Sequence, residues 1–90
     1  MVVGNVERVI TVAAAAGLHA RPAAEFVRLA SAHPGTVEVR AAGRAPVDGA
    51  SVLGLMTLDV HRGESIVVAV DGPDAEALLD RLEAILDPEG

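Results

Sequence analysis

The residues able to do chemistry are few. The chain has three histidines, no cysteine, and seven basic residues that are all arginine. Without cysteine there is no disulfide, no thiolate nucleophile and no thiolate metal site. His33 precedes Pro34, and His61 stands in the turn His61-Arg62-Gly63. Both read as solvated loop residues, and their separation gives zinc no ligand spacing, so no metal is expected. His19 differs. It stands between Gly17, which permits a turn, and Pro22, a residue tolerated in a helix only within the first turn. That places it at or next to a helix N-cap, where free N–H groups and the positive end of the dipole point outward. Such a setting disfavours imidazolium, leaving a neutral, nucleophilic imidazole, and suits a dianionic group beside it. Each dipole effect is worth about 0.3–1 kcal/mol. Arg21 adds a guanidinium fork for phosphoryl oxygens. By itself a His-x-Arg reads equally well as a capping imidazole with a solvated arginine.

The elements that must position these residues follow from periodicity. Val6 to Val12 is rich in β-branched residues and predicts a strand. From Ala20 to about Ala32, Ala23, Phe26, Val27 and Ala30 mark one buried helical stripe, stopped by Pro34-Gly35. Thr36 to Ala41 alternates as a strand, and Gly43 turns the chain into a second hairpin arm over Arg44 to Asp48. A short helix is expected over about Ser51 to Thr57, then a strand over Ser65 to Val70. Pro73 opens a last helix with Ala75, Leu78, Leu79, Leu82, Ile85 and Leu86 on one stripe, and Pro88 ends it. The order β-α-β-β-α-β-α predicts an α+β open-faced sandwich, a four-stranded antiparallel sheet with three helices on one face. A ferredoxin-like split βαβ arrangement is the nearest alternative.

Composition bounds the rest. Ninety residues make one domain, 1–90, without room for a large internal site. Ala and Val, 17 and 14 residues, supply most of the apolar positions, and the single Phe leaves no aromatic platform for stacking bases. A net charge of −6 also argues against nucleic acid. All of that charge falls in residues 61–90, where it reads as a solvated face on the last helix, remote from His19. The longest apolar run, Val12 to Leu18, is far too short to span a membrane, and the first residues lack a signal-peptide pattern. The expectation is a cytoplasmic protein with no membrane insertion.

Gly17-Leu18-His19-Ala20-Arg21-Pro22-Ala23 resembles the active-site signature of the HPr family, the histidine phosphocarriers of the phosphoenolpyruvate-dependent sugar phosphotransferase system. Asp48-Gly49-Ala50-Ser51-Val52-Leu53-Gly54-Leu55-Met56 resembles the family's second signature, a regulatory Ser opening a short helix. The resemblance implies that His19 accepts a phosphoryl group at Nδ1 from phosphorylated Enzyme I and passes it to a sugar-specific Enzyme IIA. Arg21 and the N–H groups around Ala20 and Arg21 would stabilise its oxygens. It further implies a stoichiometric carrier, not an enzyme, acting as a monomer without cofactor. Ser51 is either a plain N-cap or the target of an ATP-dependent kinase/phosphorylase. Ala20, Val52, Leu53 and Met56 would form the apolar docking patch, although Val52 and Met56 fit a core stripe equally well. Ala50 stands where many members carry Lys, which bears on partner strength. A nitrogen-related or regulatory paralogue is the alternative within the family, and a non-catalytic α+β binding module the alternative outside it.

Overall fold

A computed structural model describes residues 5–13, 17–18 and 20–88. Its elements are β1 (Val6–Thr11), α1 (Ala20–Ala32), β2 (Val37–Ala41), β3 (Val47–Asp48), α2 (Val52–Thr57), β4 (Ser65–Val70) and α3 (Ala75–Leu86). The sheet order is β1-β4-β2-β3, and every pairing is antiparallel. Since β4 lies between β1 and β2, the β1-α1-β2 unit is split by the strand that arrives late in the chain. The expected open sandwich is therefore the observed one.

Alternation decides which face is buried. Ile10, Ile66 and Ala41 lie in register across β1, β4 and β2, as do Val70 and Val37, and all point toward the helices. The opposite face carries Glu7, Val9, Glu38 and Arg40, and is open to solvent at Val9, Glu7 and Glu38. On it Arg40 reaches across β4 to Glu7 at 2.8 Å. The helices close the other side. Ala23, Phe26 and Ala30 of α1 and Ala75, Leu78, Leu79, Leu82 and Leu86 of α3 are buried in one core, with Val27 and Ile85 half-buried at its margin. Phe26, the one aromatic residue, is fully buried. Truncating such a residue costs about 3–5 kcal/mol.

Three local expectations need correction. The second hairpin arm is only Val47–Asp48, because Arg44 to Pro46 run outside the ladder and proline has no N–H to give it. Pro73 does not open α3. The helix starts at Ala75, with Asp74 in the left-handed region at φ 57° and its side chain making no cap bond. His33 is half-buried rather than solvated: its Nε2 donates to the Asp71 carbonyl oxygen at 2.7 Å. A Cβ at Gly35 would lie 3.0 Å from that nitrogen and 1.9 Å from the same oxygen, so glycine makes the bridge possible.

The acidic face on α3 is also more than solvated surface. Glu76, Asp80 and Glu83 converge on the Arg8 guanidinium at 2.8, 2.7 and 3.1 Å. The Asp80 hydrogen bond, against desolvation and with help from Glu83 and Glu76, raises the Arg8 pKa above the ordinary arginine value. A raised arginine pKa means stability that is lost as pH rises into strong alkali, for as long as the carboxylates are ionised.

Candidate functional site

The segment leading into α1 is fixed by contacts with the turn that follows α2. Gly17 sits at φ 68°, and a Cβ there would come within 2.6 Å of the Val60 carbonyl oxygen and 3.1 Å of the His61 Cα. Only glycine fits both the dihedral and the space. Next along the chain, the Leu18 N–H donates to that carbonyl at 3.0 Å while its side chain is fully buried. The backbone is thus anchored immediately before position 19. His19 and the Ala20 side chain lie outside the described residues; Ala20 itself is the first residue of α1.

The first turn of α1 contains no acidic residue to offset the positive end of the dipole from within the helix. Arg21 is exposed in that turn and makes no ion pair or hydrogen bond among the described residues. Four residues on, Glu25 pairs instead with Arg28 at 3.3 Å. Proline at position 22 falls within the first helical turn, as its missing N–H requires.

α2 owes its start to two side chains. Asp48 Oδ1 accepts from the Ala50 N–H at 2.8 Å, and Ser51 Oγ accepts from the Gly54 N–H at 2.9 Å with Ser51 in extended backbone. An N-cap of this kind is worth about 0.5–2 kcal/mol over alanine. Leu55 alone anchors the helix in the core, leaving Val52 39 %, Leu53 74 % and Met56 39 % exposed. The two-sided reading of Val52 and Met56 is settled toward the surface. Among the described residues, these three and Val9 on the far sheet face are the large apolar side chains open to solvent.

Sequence reasoning placed a turn at His61-Arg62-Gly63 but missed how it begins. Asp59 adopts φ 53°, a left-handed conformation that ends α2 where glycine is usual. His61 is exposed as expected, yet its Nε2 lies 3.3 Å from Asp59 Oδ1, and its backbone N–H donates to Glu64 Oε1 at 2.8 Å. The positive-φ requirement at Asp59 has no sequence signal, since aspartate is ordinary at so many positions. Among the described residues no group of three or more ligating side chains is placed to hold a metal ion. No helix in that set is long and apolar enough to cross a membrane.

The comparisons with known proteins agree with this geometry. A family model for the PTS HPr component phosphorylation site matches residues 6–87. Phosphocarrier protein HPr of Streptomyces coelicolor is 45% identical over 80 residues, covering 89% of this chain and 86% of that protein. Phosphocarrier protein NPr of Shewanella violacea is 37% identical over 83 residues, covering 92% and 90%. The crystal structure of phosphocarrier protein HPr from Bacillus anthracis superposes with a TM-score of 0.86 at 32% identity, covering 93% of this chain and 99% of that one. Fold and matches together define the class, a small α+β phosphocarrier. The chain belongs to the HPr family of the phosphotransferase system.

Proposed function

We propose that the chain, as one domain over residues 1–90, carries phosphoryl groups on His19 between phosphorylated Enzyme I and a sugar-specific Enzyme IIA. The Nδ1 lone pair attacks phosphorus while the bond from phosphorus to the donor breaks and the leaving group keeps its electron pair. Arg21 and the first N–H groups of α1 take up the charge on the phosphoryl oxygens, so positioning and electrostatics supply the catalysis. The observation that carries this reading is the start of α1. Its first turn carries no acidic residue, and Arg21 stands exposed there within the Gly17 to Ala23 motif.

Val52, Leu53 and Met56 supply the docking patch with Ala20, their exposure suiting partners that exchange in turn. Ser51 is the position at which an ATP-dependent kinase would add a regulatory phosphate beside that patch. The protein acts as a cytoplasmic monomer, consumed and regenerated stoichiometrically, with no metal or cofactor at His19. Likeness to a phosphocarrier protein NPr supports a second reading, a regulatory branch whose phosphate is not passed to sugar uptake.

With phosphoenolpyruvate, Mg²⁺ and Enzyme I, the protein gains one acid-labile phosphate, and His19→Ala abolishes it. Label retained in that variant overturns the assignment. Failure of the labelled protein to discharge to any sugar-specific Enzyme IIA selects the regulatory branch.

A further inference from the structure

Arg28 of α1 and Arg81 of α3 line one groove from opposite walls, and Asp74 lines it at the head of α3. We propose that this groove binds a small phosphorylated polyol, its phosphate held by the two arginines and its far hydroxyls by Asp74. The proposal does not depend on the carrier reading above.

α3 divides its charges by face. Glu76, Asp80 and Glu83 are engaged by Arg8. On the groove side, the side chains of Arg81 and Asp74 make no ion pair or hydrogen bond among the described residues, and the Asp74 carboxylate caps no N–H of its own helix. Arg28 has only an exposed contact with Glu25 at 3.3 Å. The closed end of the groove is built before any ligand arrives. His33 Nε2 donates to the Asp71 carbonyl at 2.7 Å, and the Asp71 N–H donates to the Thr36 carbonyl at 3.0 Å, which ties the end of α1 to the approach of α3. A Cβ at Gly72 would lie 3.1 Å from the Gly35 Cα, so the two connections meet backbone to backbone. The walls therefore need no rearrangement to receive a ligand, and a volume of about 450 Å³ falls in the range of small-molecule sites.

The chemistry of the ligand follows from this arrangement. Two guanidinium forks from opposite walls suit a phosphate monoester, whose three terminal oxygens serve both, whereas a carboxylate has oxygens for one. Leu29 and Leu78 between the walls give its carbon body an apolar floor. Asp74 and Arg81 are seven residues apart on the helix, about 10 Å along its axis. A ligand that meets both must therefore extend two helical turns from its phosphate. The Asp74 carboxylate accepts hydrogen bonds and repels a second anionic group, so the far end carries neutral hydroxyls.

The test is a heteronuclear NMR titration of the full chain at low salt with sorbitol 6-phosphate, glycerol 3-phosphate and sorbitol. Sorbitol 6-phosphate shifts the amide signals of residues 28–34 and 73–81 saturably, with a Kd on the order of 1 mM, and sorbitol shifts none. Glycerol 3-phosphate, too short to reach Asp74, binds about threefold more weakly. Arg81→Gln weakens both phosphates about fivefold, and Arg28→Gln about threefold because its charge is shared with Glu25. Asp74→Asn weakens sorbitol 6-phosphate about threefold and does not weaken glycerol 3-phosphate. Asparagine accepts the left-handed backbone at position 74, so that variant keeps the helix start. All three side chains are exposed, and the thermal midpoints hold. Arg81→Gln binding as the wild type does, or equal affinity for the two phosphates, overturns the proposal. Shifts confined to Ala20 to Ala23 also overturn it, since they place the phosphate at the transfer site. Should Arg81→Gln fail to fold, Arg28→Gln and Asp74→Asn decide in the same way.

Discussion

Two exposed surfaces of this molecule use their side chains in opposite ways. On the side of α3 and β1, charge is satisfied internally: three carboxylates close on Arg8, which is itself only a quarter exposed. On the side of α2 and the start of α1, apolar groups face water and Arg21 has no ion partner among the described residues. The first surface holds the fold together, and the second is left unsatisfied. Net charge does not separate them; what does is whether each group already has its partner.

Substitutions can break that contrast, and the largest effect belongs to Arg21. Arg21→Ala slows phosphoryl transfer about 10- to 100-fold, the loss of a charge-assisted contact, with an unchanged melting temperature. A fall in stability instead would put Arg21 on the structural side. Next comes Leu53→Asp, which raises KM for partner proteins about tenfold while the thermal midpoint holds, because the side chain is 74 % exposed. Unfolding of that variant would show a core residue. The smallest effect is the reverse case. Arg8→Met costs about 1–2 kcal/mol and lowers the melting temperature by several degrees, with transfer kinetics unaltered once folded. Slower transfer by a fully folded Arg8→Met protein would erase the distinction.

How much of this was legible depended on how local its cause was. α1 begins at Ala20 and ends at Ala32 as its stripe, Pro22 and Pro34-Gly35 dictate, since all those signals lie within the helix or next to it. β4 was equally plain, being an apolar run rich in Ile and Val that lies between two strands. The short β3 was not, because its limit is set by which residues find a ladder partner on β2. His33 read as solvated because its acceptor, Asp71, lies 38 residues away. The helix-start motif around His19 was legible from spacing and from family resemblance, and the turn at 61–63 from its own residues, whereas the packing of that turn against Gly17 and Leu18 was not. That packing depends on the Val60 carbonyl meeting Leu18 across the fold.

The carboxylates on α3 have a kinetic side as well. Glu76, Asp80 and Glu83 are spaced four and three residues apart, so before β1 docks they repel along one helical face. Their arginine arrives from a strand 68 to 75 residues earlier in the chain. The last helix thus gains its electrostatic support only when the two ends of the chain meet, a closure of high sequence separation that forms slowly. Weakening this cluster should therefore speed unfolding more than it slows folding, so its measure is how long the carrier persists between turnovers.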